Sequence, residues 1–258
     1  MKIPDWAPDV VASLEYPAVF ATVSGAHLYG FASVDSDLDL RGVHQLPLAE
    51  LVGLHTGPET LSAAGVRDGV ELDVVTHELG KFCRLLLSRN GYVLEQLLSP
   101  LVVTSSALHE ELVSAAPGCL TRHHAHHYLG FARTQWALFE RTGELKPALY
   151  TLRVLLTGRH LMRTGEVVCD LGRLAEGAPA EGALPEGIDL PYVPELIAAK
   201  SAGEHWPMPS STGLRSRLHA DVTRLTALLE QARDESVLPE RPTAEAQLHD
   251  LVVRARLG

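Results

Sequence analysis

The sequence predicts an α+β fold: a sheet with flanking helices over residues 1–105, then an all-α part over 106–258. Three observations predict it. Ala18–Val23, AVFATV, is a short apolar run that stops at Gly25, as a buried strand does. Asp37–Val43, DLDLRGV, alternates polar and apolar, as a half-buried strand does. Beyond residue 104 the character changes, and apolar residues recur at helical spacing.

The remaining elements follow in order. Val70–Val75, VELDVV, reads as another strand. Leu79, Phe82, Cys83 and Leu86 fall on one helical face, which predicts a helix over Glu78–Leu87 with Thr76 as its cap. Asn90-Gly91 breaks it, Tyr92–Leu98 resumes as helix until Pro100, and Leu101–Val103 adds a short strand. Helices are then expected over Ser106–Ala115, Leu120–Arg141 and Pro147–Thr164. Gly143 and Gly165 stand where helix-terminating glycines belong, and Pro147 suits a first turn. Glu176–Pro194, rich in Gly, Pro and Ala, reads as a loop. Leu214, Leu218, Val222, Leu225 and Leu229 mark a further helix, and Ala244–Leu257 a last one.

The chain of 258 residues is long enough for one large domain or two small ones. No apolar run approaches the roughly 18–20 residues of a membrane helix. Pro and Asp in MKIPDWAPDV break up what would be the apolar core of an export signal. Cys83, Cys119 and Cys169 are far apart and odd in number, which argues against a disulfide framework and for the cytoplasm. A net charge of −10 excludes nucleic-acid binding by bulk electrostatics. The charge is uneven, however. Between residues 120 and 165, Arg122, Arg133, Arg141, Lys146, Arg153, Arg159 and Arg163 face only Glu140 and Glu144, which points to a local anion-binding face or a solvated helix surface. His123 and His127 are four apart within RHHAHH. No acidic third ligand and no HEXXH motif accompany them, so a phosphate-facing or solvent-exposed surface is the better reading than a metal site.

The segment SGAHLYGFASVDSDLDLRG, residues 24–42, reads either as a solvated acidic edge or as a site that holds metal ions beside an anion, and the glycine turn next to the aspartates favours the second. On a strand, Asp37 and Asp39 share a face while Leu38 and Leu40 enter the core. Two fixed carboxylates repel unless a cation sits between them. Mg²⁺ suits carboxylate oxygen and keeps positions open for phosphates. Small residues at Ser24-Gly25-Ala26 let backbone N–H groups approach a phosphate. Glu71 and Asp73, on one face of VELDVV, are candidates for a third carboxylate. A calcium loop counted from Asp35 would need Gly at position 40 and Glu at 46; the chain has Leu at both.

These residues resemble the Gly-Ser and Asp-x-Asp signature of the DNA polymerase beta nucleotidyltransferase superfamily. Tyr29-Gly30, SDLDLRG, HELGKFCRLLLSRNGYVLEQLLSP (77–100) and the Lys146, Tyr150, Arg153, Gly158, Thr164-Gly165 pattern are similar to the RlaP family, RNA-repair-pathway polymerase-beta-like proteins. The resemblance runs from about Phe20 to Gly165, and PTAEAQLHDLVVRARL at the end is also similar. It implies a mixed nucleotidyltransferase sheet followed by a helical domain. It implies Asp37, Asp39 and Asp73 as catalytic metal ligands for Mg²⁺ or Mn²⁺, and Ser24, Gly25, Ala26, Tyr29, Arg41, Lys146 and Tyr150 at the nucleotide. Arg122, His123, Arg133 and Arg153 are then expected at the acceptor. In one place the chain departs from the pattern: the family's Gly-Ser reads Gly25-Ala26, with Ser24 able to substitute. The implied activity is transfer of a nucleoside monophosphate from an NTP to a hydroxyl, with an RNA 3′ end as acceptor. A small-molecule or protein acceptor, or a non-catalytic nucleotide-binding regulator, are the alternatives; retention of all three carboxylates counts against the last.

Overall fold

The computed structural model describes residues 2–176, 189–203, 207–208 and 212–257. Its strands are β1 (Ala18–Val23), β2 (Leu38–His44), β3 (Thr60–Arg67), β4 (Val70–Glu78) and β5 (Val102–Thr104). Its helices are α1 (Ala7–Ala12), α2 (Gly25–Tyr29), α3 (Ala49–Val52), α4 (Leu79–Leu86), α5 (Gly91–Leu97), α6 (Ala107–Ala115), α7 (His124–Thr142), α8 (Leu145–Thr164), α9 (Leu171–Ala175), α10 (Val193–Lys200), α11 (Thr212–Glu235) and α12 (Glu245–Leu257). They fall into two compact units. One comprises Met1–Leu28, Asp37–Leu120 and Arg241–Gly258; the other comprises Tyr29–Ser36 and Thr121–Glu240. The break expected near residue 105 falls inside the first unit.

The first unit is α+β. Its five strands form one mixed sheet in the order β3-β4-β2-β1-β5. β2 and β4 run parallel and the other pairs antiparallel. Leu38 and Leu40 are fully buried with Ala21, Val23, Val74 and the α1 residues Ala7 and Val11. Burying each leucine is worth roughly 2 kcal/mol. Because side chains alternate along a strand, this packing turns Asp39 and Arg41 to the opposite face. Phe20 of β1 meets Phe82 of α4 edge-on at 5.5 Å and stacks on His109 of α6 at 4.4 Å, so α4 and α6 pack against the sheet. The C-terminal helix returns to the same unit. Leu248 and Leu251 of α12 are buried, Arg256 pairs with Glu78 at 2.8 Å, and Arg254 pairs with Glu111 at 2.6 Å.

β1 matches its expected range, and β2, β4 and β5 lie within a few residues of theirs. β3 has no counterpart in the sequence reading, since Ser62–Val66 is exposed throughout and has no buried face to impose alternation. The signal that marks it is Asp68-Gly69, which turns β3 into β4 with φ of 52° and 79°, the geometry of a two-residue hairpin. Thr76 is not the cap of α4. It is buried and bonds the His44 ring at 2.9 Å, whereas the Glu78 carboxylate accepts from the amides of Gly80 (2.7 Å) and Lys81 (3.1 Å).

The second unit is all-α. α7 and α8 form a hairpin closed at Gly143, and Gly143 and Gly165 both take the left-handed cap conformation expected of them. α7 starts at His124 rather than Leu120, because Leu120 is extended and His123 is its cap residue. α8 is buried on nearly every side from Leu145 to Met162, which makes it the centre of this unit. α10 begins at Val193, so the expected loop to Pro194 ends sooner; its residues 177–188 lie outside the described residues. Lys200 at the end of α10 is fully buried, and its Nζ donates to Ser33 Oγ at 2.8 Å. Ser33 in turn bonds Ser36 through both its amide (2.9 Å) and its hydroxyl (2.8 Å).

Candidate active site

The site in the first unit is built from the end of β1 and from two parallel strands. The amide of Ser24 donates to the carbonyl of Asp39 at 2.9 Å, tying the exit of β1 to β2. Gly25 follows with φ +61°, and a Cβ there would lie 1.9 Å from Asp39 Oδ2. Both the backbone angle and the neighbouring carboxylate therefore require glycine. Ser24 is 1% exposed, and its Oγ has no hydrogen-bond partner among the described residues. Ala26 is buried.

Asp39 on β2 and Asp73 on β4 are register partners in the parallel pair. Like charges held across adjacent strands repel. Arg41, two residues along β2 and on the same face, answers that repulsion. Its Nη2 donates to Asp39 Oδ1 and to Asp73 Oδ2, each at 2.7 Å. Its Nη1 donates to the carbonyls of Asp73 (2.7 Å) and Leu40 (3.0 Å). Asp37 lies one residue ahead of β2, is exposed, and takes no part in the Arg41 ion pairs. Glu71 is exposed and pairs in register with Val66 of β3, away from Asp39. Of the two candidate third carboxylates, the strand register thus brings Asp73 to Asp39.

Further along the same face of β4, His77 Nδ1 lies 3.1 Å from Thr60 Oγ1, to which Lys81 Nζ donates at 2.5 Å. Burial lowers the His77 pKa, and the charges of Lys81, His44 and Arg41 lower it further. Burial first, and Lys81 next, thus favour the neutral imidazole at His77.

Among the described residues, no group of three or more His, Cys, Asp and Glu is arranged to hold a metal ion. The donor chemistry of Asp39 and Asp73 nevertheless fits a hard divalent cation. Both offer carboxylate oxygen, and the place between them already accepts a positive group.

The other expected residues lie in the second unit. Tyr29 is fully buried, with the Arg153 guanidinium 3.8 Å above its ring. Tyr150 meets the rings of Tyr29 at 5.6 Å and Phe31 at 5.2 Å. Lys146 stands in the first turn of α8, one turn before Tyr150. Arg153 is 1% exposed, so as it stands it presents no charge to solvent. Arg133 is exposed, and Arg122 pairs with Glu240 at 2.9 Å. The histidine cluster divides. His126 is exposed and lies 5.7 Å from the ring of His123, while His124 is fully buried. Its Nδ1 accepts from the Thr121 amide at 3.2 Å.

A mixed sheet carrying a glycine turn against paired strand carboxylates is the architecture of a polymerase-beta-like fold. The chain belongs to the RlaP family, the RNA repair pathway DNA polymerase beta family, whose model matches residues 9–254. An uncharacterized protein of Methanocaldococcus jannaschii is 34% identical over 161 residues, which is 61% of this chain. The chain spans 65% of that relative's length. The crystal structure of a nucleotidyltransferase-like protein from Exiguobacterium sibiricum aligns over 98% of this chain and 79% of its own, at 14% identity and a TM-score of 0.32. No helix among the described residues is long and apolar enough to cross a membrane.

Proposed function

We propose that the protein transfers a nucleoside monophosphate from an NTP to a hydroxyl acceptor, that the reaction depends on Mg²⁺ or Mn²⁺, and that the acceptor is an RNA 3′ end. The observation that carries the transfer reading is the register of Asp39 and Asp73 beside the Gly25 turn. Asp39 and Asp73, with Asp37 ahead of them on the chain, would hold the metal. When bound, a divalent ion lowers the pKa of the attacking hydroxyl and offsets charge on the departing pyrophosphate.

In this reading the acceptor oxygen forms a bond to the α-phosphorus. The bond to the α,β-bridging oxygen breaks, and pyrophosphate leaves. Asp73, the more exposed of the register pair, takes the acceptor proton. The Ser24 hydroxyl, buried without a partner, supplies the donor that Ala26 lacks. A buried polar group left unpaired calls for a ligand, and a phosphate oxygen meets that need. Tyr29, Lys146 and Tyr150 are assigned to the nucleotide on the strength of the resemblance. The RNA acceptor is supported by the family's description and by the exposed cations of the second unit, Arg133 foremost. A cytoplasmic setting suits three buried cysteines that form no disulfide among the described residues.

The test is incubation with each labelled NTP, Mg²⁺ or Mn²⁺ and total RNA. Label in RNA that is lost with Asp39→Asn supports the full reading. Label in protein or small molecules moves the acceptor, and no transfer to any acceptor overturns the activity.

A further inference from the structure

The same guanidinium that stabilises the Asp39–Asp73 pair stands where a divalent ion would have to bind. Arg41 is a built-in contact rather than a loose surface pair. Its side chain is 12% exposed, and two main-chain carbonyls fix its Nη1 while Nη2 holds both carboxylates. At Asp39, Oδ1 accepts from Arg41, and Oδ2 lies so near Gly25 that a Cβ there would stand 1.9 Å away, which crowds one side of the carboxylate. A compact dication approaching these oxygens meets the Arg41 charge at close range, in a partly buried place where screening is weak.

We propose that Arg41 is a resident competing cation: it holds Asp39 and Asp73 together in the metal-free protein and keeps their affinity for a free divalent ion low. This rests on the nucleotidyltransferase reading above and deepens it. An ion arriving alone has to displace a guanidinium whose Nη2 bridges both carboxylates. An ion arriving on a triphosphate brings negative charge that the displaced guanidinium can meet, since Arg pairs as readily with phosphate as with carboxylate. The free protein is thus poor at collecting metal, and the nucleotide delivers it. Arg41 acts as a positioning residue on the two aspartates.

The experiment is calorimetric titration of Mn²⁺, without nucleotide, into the full chain and into Arg41→Gln, Arg41→Lys and Asp39→Asn, together with melting curves in chelator and in Mn²⁺. Arg41→Gln should bind Mn²⁺ at least tenfold more tightly than wild type. It should melt lower than wild type in chelator and gain more from Mn²⁺. A purely structural arginine would lower the melting point and leave Mn²⁺ affinity where it was. Arg41→Lys keeps a charge but loses the Nη1 bonds to the carbonyls of Leu40 and Asp73 that fix it, so its affinity should rise by a few-fold; it carries the test if the Gln variant does not fold. Equal Mn²⁺ affinity within twofold in wild type and the Arg41 variants, with loss in Asp39→Asn, overturns the competing role alone. No Mn²⁺ binding in wild type or in either Arg41 variant overturns the competing role, and loss or survival of nucleotidyl transfer in chelator then decides the metal-dependent reading separately.

Discussion

Gly25 and Asp39 occupy adjoining space so tightly that a Cβ on Gly25 would stand 1.9 Å from the Asp39 carboxylate. Gly25→Ala must therefore move the aspartate as well as adopt a φ of +61°. The backbone term and the clash together should cost roughly 2 kcal/mol. Displacing a carboxylate by about an ångström should lower turnover on the order of a hundredfold. Urea unfolding and steady-state transfer measure the two effects. Activity within twofold of wild type would remove Asp39 from the chemistry.

Register separates the acidic candidates. Asp73→Asn should suppress turnover by ~10³ and leave NTP affinity near wild type, a loss of about 4 kcal/mol of transition-state stabilisation. Glu71→Gln should be mild, since Glu71 pairs with Val66 and not with Asp39. Calorimetric NTP affinity and turnover on both variants decide the order. The reverse ranking would reassign the acceptor base.

RNA contacts should show in salt. Arg122→Ala with Arg133→Ala should flatten the logarithmic salt dependence of RNA affinity by roughly one to two units, with NTP affinity little changed. Arg122 shares its charge with Glu240, so Arg133→Ala alone should carry the larger part. A wild type that binds no RNA at low salt would shift the acceptor to a small molecule or protein.

Acid should destabilise the fold through its buried imidazoles. Burial pushes His124 down to about 4, and burial also lowers His44, His109 and His160. Above the ordinary value near 6.5 these rings are neutral in both states. As pH falls below it, the unfolded chain takes up protons that the folded chain refuses, so stability falls. His124 alone accounts for roughly 2–3 kcal/mol between pH 7 and 4.5. His124→Gln should shrink the difference in unfolding free energy between those pH values by about that amount. An unchanged difference would show that the ring is protonated in the fold.

Lys200→Met removes the buried cation that donates to Ser33, which keeps its hydroxyl contact with Ser36. The loss should be roughly 2 kcal/mol, as for a charged hydrogen bond broken in the interior. Thermal unfolding reads it directly; a melting point within a degree of wild type would deny Lys200 a structural role.

What could be read in advance was local. AVFATV declares its strand because a buried run is bounded by a glycine, and Gly143 and Gly165 declare two helix ends. The pairing of β2 with β4 is not local. Asp39 and Asp73 become neighbours only through the parallel pairing of β2 with β4, and β3, which lies between those strands in sequence, is too exposed to show a pattern. For the same reason the resemblance, which implies Arg41 at the nucleotide, carries no sign of its two carboxylate partners. RHHAHH reads as one basic cluster because composition carries no burial, and the fold puts His124 inside and His126 outside.

The placement of α12 bears on how the chain acquires its structure as it is made. The sheet of the first unit is complete in sequence by Thr104, yet Glu78 and Glu111 wait for arginines at 256 and 254. Everything from Thr121 to Glu240 emerges from the ribosome between the sheet and the helix that covers part of it. During synthesis the aspartate-bearing half must therefore persist without its last layer, exposing the apolar seats of Leu248 and Leu251, while a whole helical unit folds downstream. The first unit is thus discontinuous in sequence, and α12 completes a layer over a sheet whose strands all precede the second unit.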